Sequence, residues 1–174
     1  MRVHRRKPAG AFTLVEMLMT ITLMGVGLTA SMRVLPILIK ASEIGQESQV
    51  ALRLASDLMA EMATLPYQDP DGSATFGTET GEGTSTRTNF DDIDDYDDWT
   101  GSPPEQKDGT EDAGGTGYAR TVAVVCVDAD DFTQVEADGD TLPKRITITV
   151  TRAGMPDVTL VTVRLPGANR EDLY

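Results

Sequence analysis

From Phe12 to Ile39 the chain is almost continuously apolar, broken only by Glu16, Arg33 and small or hydroxyl residues. A helix needs about 20 such residues to cross the hydrocarbon core of a bilayer. This run is therefore long enough to span a membrane, and longer than the apolar region of an ordinary secretory signal. Its side chains are Leu, Met, Ile, Val, Ala and Thr on all faces, as lipid or a helical bundle requires. Arg2, Arg5, Arg6 and Lys7 precede it. By the positive-inside rule they hold the N-terminus in the cytoplasm and send the remainder to the periplasm. Glu16 is the anomaly, because an ionised carboxylate at the bilayer centre costs roughly 2.5–3.5 kcal/mol or more, and less near the interface. A residue that expensive calls for an assigned partner.

The residues around it are Gly10-Ala11-Phe12-Thr13-Leu14-Val15-Glu16. This string resembles the cleavage and methylation signal of type IV prepilins and type II secretion pseudopilins, usually Gly followed by Phe-Thr-Leu-Ile/Val-Glu. The resemblance implies processing by a prepilin peptidase/methyltransferase on the cytoplasmic side and N-methylation of the new terminus. It also implies assembly with other pilin or pseudopilin subunits through an inner-membrane platform. In that family the glutamate is the fifth residue of the mature chain, which places the cut after Ala11 and makes Phe12 the methylated residue. Ala11 departs from the usual glycine. A cut after Gly10 would instead make Ala11 first and Glu16 sixth. The position of the glutamate is the geometric requirement, so the Ala11 cut is expected.

The role of Glu16 then follows from charge. The new α-amino group of Phe12 enters the bilayer or a filament core as a cation, where it must be paired. A carboxylate about one helical turn along, on a neighbouring subunit, neutralises it and fixes the axial stagger. The competing reading is a snorkelling or protonated Glu16 in a plain anchor, but a plain anchor has no need of the Phe12-to-Glu16 signal.

The chain has 174 residues and a formal net charge of -13. Once the membrane segment is set aside, about 110 residues remain, enough for one small domain with a modest core. The acidic balance argues against nucleic acid as a partner, since phosphate contacts require an excess of Lys and Arg. Cys126 is the sole cysteine, so no intramolecular disulfide forms. Many pilins carry a C-terminal disulfide loop, and this departure makes the chain look more like a minor pseudopilin.

Read for organisation, the sequence divides into a leader (1–11, cleaved), a transmembrane helix half (12–39) and an amphipathic periplasmic helix half (40–66). An acidic Gly/Asp-rich connector (67–117) and an antiparallel sheet (118–174) follow. One long helix is expected from Thr13 to about Thr64, locally weakened by Gly25, Gly27 and Pro36. In its outer half Ile44, Ala51, Ala55, Leu58, Met62 and Leu65 recur at three- and four-residue steps. Strands are expected at Tyr118–Asp128, Lys144–Arg152 and Val158–Leu165 from their alternation, with Arg152 to Asp157 as a turn. A further short strand is expected around Ala74 to Phe76. The fold class is α+β: a long N-terminal helix packed on a small C-terminal antiparallel sheet, a layout that is again similar to the pilins.

Catalytic chemistry has no foothold in this pattern. His4, the only histidine, lies in the leader, and Cys126 falls within an apolar strand pattern as a small core residue. The chain is expected to be a peptidase substrate and not an enzyme. Asp91, Asp92, Asp94 and Asp95 offer hard oxygen ligands of the kind calcium takes, but their spacing does not fit an EF-hand loop. The expected reading is a solvated acidic loop, dispensable for the fold and docked by Tyr96 and Trp99, with no cofactor; calcium is the alternative. Two functions from different classes result. The first is a structural subunit anchored once in the inner membrane and later assembled into a type II secretion pseudopilus or a type IV pilus. The second is a monomeric, membrane-anchored periplasmic binding module that holds calcium or another ligand.

Overall fold

The computed structural model describes residues 12–72, 75–79, 81–82, 87–139 and 141–167. The chain divides into two compact units, Met1–Ile44 and Gly45–Tyr174. One helix, α1 (Leu14–Met62), contributes residues to both. The leader and the proposed cut lie outside the described residues.

In the first unit, the apolar side chains from Phe12 to Ile39 are exposed throughout. The helix is long and apolar enough to cross a membrane, and its most apolar stretch is not buried inside the chain. Its hydroxyl groups are satisfied locally: Thr20 and Thr22 donate to the carbonyls of Glu16 and Leu18, and Thr29 and Ser31 to those of Gly25 and Gly27, at 2.9–3.0 Å. This back-bonding is what lets polar side chains enter lipid without an orphaned donor. At the N-terminus of α1, Thr13 Oγ1 accepts the Glu16 N–H at 3.3 Å. Thr13 and Glu16 have the spacing of a capping box.

In the second unit, α1 buries Ala51, Leu54, Ala55, Leu58 and Met62. These residues share one face and pack against a four-stranded antiparallel sheet in the order β1-β2-β3-β4. The strands are β1 (Thr100–Gly101), β2 (Tyr118–Cys126), β3 (Lys144–Arg152) and β4 (Val158–Arg164). Val122 pairs with Ile148, which pairs with Leu160. Val122, Val124, Ile146, Ile148 and Val150 thus form the inner face. The helix ends under a cationic cap: Arg164 Nη1 donates to the Leu65 carbonyl at 2.9 Å and to that of Met62 at 3.3 Å. A cation here satisfies carbonyls that have no helical partner and complements the helix dipole.

The β3 bounds match the sequence expectation, while β2 ends at Cys126 and β4 at Arg164, short of Asp128 and Leu165. Beyond β2, Val127 continues only as an isolated bridge to Val135. Of the strand expected around Ala74 to Phe76, Ala74 lies outside the described residues, and Thr75 and Phe76 are not in a strand. Strand β1 was not anticipated.

The larger difference concerns 67–117. The expectation that Asp91–Asp98 is a solvated loop is overturned. Tyr67, Phe90, Ile93, Tyr96 and Trp99 are all buried in the core, and Asp92, Asp94 and Asp95 are buried with them. The physical reason is a period of three. Phe90, Ile93, Tyr96 and Trp99 recur at every third residue, and the segment contains a 3₁₀ turn at Asp94–Tyr96. Side chains at i and i+3 eclipse in 3₁₀ geometry, so the aromatic and apolar side chains share a side while aspartates occupy the positions between. Trp99 then lies so close to Gly101 that a Cβ there would meet its indole at 2.5 Å. Glycine in β1 is required by that approach.

Candidate functional site: the processing segment and a buried acidic turn

Two places hold chemistry-bearing residues. The first is the start of α1, where Phe12 is exposed and Glu16 sits in the first turn. The capping contact with Thr13 is made by the Glu16 backbone N–H and not by its carboxylate, so the role expected of the side chain is the intersubunit one. Gly10 and Ala11, the alternative residues before the cut, lie outside the described residues.

The second is the acidic turn, which is built from its own backbone. Asp92 Oδ1 accepts the N–H groups of Asp94 and Asp95 at 2.9 and 3.2 Å. Asp95 Oδ2 accepts those of Asp91 and Asp92 at 2.9 and 3.2 Å. These Asx-type bonds are what short carboxylates offer a turn. Asp94 Oδ1 meets Lys144 Nζ at 2.5 Å in an ion pair whose side chains are 4% and 0% exposed. Lys144 also donates to the Tyr67 carbonyl at 3.0 Å and lies 4.6 Å from the Tyr67 ring centre. Asp97 Oδ1 accepts Val124 N–H at 2.8 Å, and the Trp99 carbonyl accepts Val122 N–H at 3.0 Å. The turn thereby completes the edge of β2 that the two-residue β1 leaves open.

A second polar network backs it. Glu61 accepts two bonds from Arg87, at 2.9 and 3.2 Å, and one from the Tyr96 hydroxyl at 2.6 Å. Arg87 stacks 4.3 Å from the Trp99 ring centre. Arg120, buried on β2, donates to the Glu105 carbonyl and to that of Leu54. Burial, and then Glu61, pushes the Tyr96 hydroxyl up, and burial above all lowers the Arg120 guanidinium. Burial also raises the Cys126 thiol, whose sulfur contacts the Gly139 backbone and is fully enclosed. That fits a small core residue.

The four aspartates singled out from the sequence therefore separate. Asp92 and Asp94 spend their oxygens on the turn and on Lys144. Asp95 instead comes beside Glu79 and Glu82: one oxygen of each carboxylate lies within 4.8 Å of one from each of the others. Burial, with Glu79 and Asp95 alongside, pushes Glu82 up to about 7; burial and then Asp94 push Asp92 up to about 8. Sequence reasoning missed Glu79 and Glu82. They lie 16 and 13 positions before Asp95, a spacing with no motif to flag it.

Compared with known protein families, residues 6–32 match the prokaryotic N-terminal methylation motif. No curated protein and no solved structure matches the chain. The match covers Gly10 to Glu16 and most of the apolar run, as far as Met32, and it implies processing by a prepilin peptidase. An apolar N-terminal helix carrying that signal is consistent with inner-membrane anchoring before assembly. The chain thus bears a prepilin-type methylation motif on a pilin-like α+β fold, a long apolar helix packed on a four-stranded antiparallel sheet.

Proposed function

We propose that the protein is a structural pilin or pseudopilin subunit, of the minor pseudopilin kind, which is cleaved, N-methylated and then assembled into a type II secretion pseudopilus or a type IV pilus. The observation that carries this reading is the methylation motif placed directly ahead of an apolar helix whose side chains find no cover within the chain. In the membrane, lipid covers them; in a filament, the same helices of neighbouring subunits do. The signal would serve little purpose in an anchored monomer. The subunit's work is assembly, and its partners are the prepilin peptidase, other pilin-type subunits and the inner-membrane platform.

The mature chain is expected to begin at Phe12 with a methylated amine. Intact mass spectrometry of membrane-extracted protein reads this directly, and a chain beginning at Met1 or Ala11 would count against it.

Glu16→Ala is expected to leave membrane insertion intact, or to improve it by removing a carboxylate from the bilayer. It should nevertheless reduce incorporation into filaments, because the Phe12 amine of the neighbouring subunit loses its counter-charge. Glu16→Gln keeps a polar side chain of nearly the same size and removes only the charge, and both variants keep the backbone N–H that Thr13 caps. Crosslinking to other subunits should fall in both variants if charge pairing matters. Crosslinking retained in Glu16→Gln and lost in Glu16→Ala would show that a polar side chain suffices there and that charge pairing does not matter.

A further inference from the structure

Arg33 stands within the apolar run of α1 and Lys40 directly after it, and both side chains are exposed. Among the described residues neither has an ion-pair or hydrogen-bond partner. Their depth in a membrane follows from length. At about 1.5 Å per residue the run from Phe12 to Ile39 measures about 42 Å, and a hydrocarbon core of about 30 Å would accommodate it only at a tilt near 45°. Transmembrane helices tilt by about 20° on average, within a range of roughly 0–40°. The distance from Phe12 to Arg33 is about 32 Å, which fits the same core at the usual tilt. With Phe12 at the inner boundary, Arg33 therefore stands at the outer one.

The step from Arg33 to Lys40 is about two helical turns, so the two residues share a side of α1 and lie about 10 Å apart along it. Pro36 falls between them without interrupting the helix. The polar headgroup layer extends about 5–7 Å beyond the hydrocarbon. Long basic side chains bend toward that layer, so Arg33 reaches it from below and Lys40 from above. We propose that Arg33 and Lys40 together bind the phosphate of an anionic phospholipid in the outer leaflet of the membrane that α1 spans.

Charge selects the ligand. The guanidinium fork of Arg33 matches two phosphate oxygens, and Lys40 adds a compact point charge. The next acids along α1 do not compete at that level. Glu43 is exposed but about 15 Å beyond Arg33, and Glu47 pairs with Arg152 at 3.3 Å. The chain carries a formal net charge of -13, so an anionic leaflet repels it as a whole. Two cations at the phosphate level supply a local attraction where the helix leaves the bilayer. This inference rests on the membrane-spanning part of the reading above, and not on cleavage or filament assembly.

The test reconstitutes the full chain, as purified from membranes, into vesicles of equal parts phosphatidylglycerol and phosphatidylcholine. Native mass spectrometry after mild detergent extraction then counts the lipids retained on the protein. Wild type should retain phosphatidylglycerol in excess, and Arg33→Gln with Lys40→Gln should lower that excess about fivefold or more, since each basic residue at the surface is worth about that factor. Each single variant should lower it in part, and Arg53→Gln, a cation outside the apolar run, should leave it unchanged. Wild type and variants share the same N-terminus, so their difference is independent of processing, which is read separately from the intact mass. Thermal unfolding followed through Trp99 should be the same in all of them, which separates lost binding from misfolding. Retained lipid in the proportion of the vesicles would overturn the proposal. So would an excess that survives the double substitution, and displacement of the lipid by inorganic phosphate would overturn its assignment to a phospholipid.

Discussion

Deleting Asp91–Asp98 should abolish cooperative unfolding of the Gly45–Tyr174 unit. The deletion removes Ile93 and Tyr96, both fully buried, and losing large core side chains costs about 2–5 kcal/mol each. It also strips Lys144 of its buried partner Asp94, and an uncompensated buried charge costs roughly 3–5 kcal/mol. The Val124 N–H loses its acceptor on Asp97 as well. A small domain has only about 5–15 kcal/mol of net stability, so these losses match or exceed the whole. Limited proteolysis of the deletion variant should digest the unit rapidly, and Trp99, the single tryptophan, should show solvent-exposed emission. A sharp, protease-resistant folded state close to that of wild type would show that the turn is an accessory to the core and not part of it.

Lys144→Met is expected to be the most damaging single substitution of a charged residue. Methionine nearly conserves the volume but leaves Asp94 buried and anionic, so the expected loss is about 3–5 kcal/mol. Adding Asp94→Leu should recover most of it, because replacing both members of a buried ion pair with apolar groups is often close to neutral. The recovery distinguishes charge from packing. Urea denaturation followed through Trp99 gives both values, and a double variant as unstable as Lys144→Met alone would assign the loss to packing against the Tyr67 and Phe76 rings, 4.6 and 5.6 Å away.

Most of the regular structure was legible before any coordinates. The apolar run and the Phe12-to-Glu16 string fixed a membrane-length helix with a processing signal, because those signals are local. Alternation located β2, β3 and β4 to within two residues, and the three- and four-residue steps of Ala51, Ala55, Leu58 and Met62 identified the helix face that is buried. Leu54 was missed on that face, although it stands one turn before Leu58 and is fully enclosed. The acidic turn was misread because composition was weighed over period. Six aspartates among eight residues suggested solvent, whereas the step of three from Phe90 to Trp99 already described a buried side. Likewise, Lys144 is in phase with Ile146, Ile148 and Val150, so the alternation of β3 pointed it inward.

By itself, the sequence determined what short-range chemistry determines: a helix long and apolar enough to span a membrane, the methylation motif, the strand phases and the confinement of histidine to position 4. Tertiary structure alone decided which charges are buried and with whom. Lys144 finds Asp94 across 50 residues, Arg87 finds Glu61 across 26, and Asp95 meets Glu79 and Glu82 only because the loop folds back onto the turn. A buried charge is tolerable only beside its partner, and no local pattern records a partner that distant in the chain. The burial of the acidic run is therefore a property of the assembled core, which encloses the aspartates because it also supplies the lysine, the backbone donors and the aromatic rings around them.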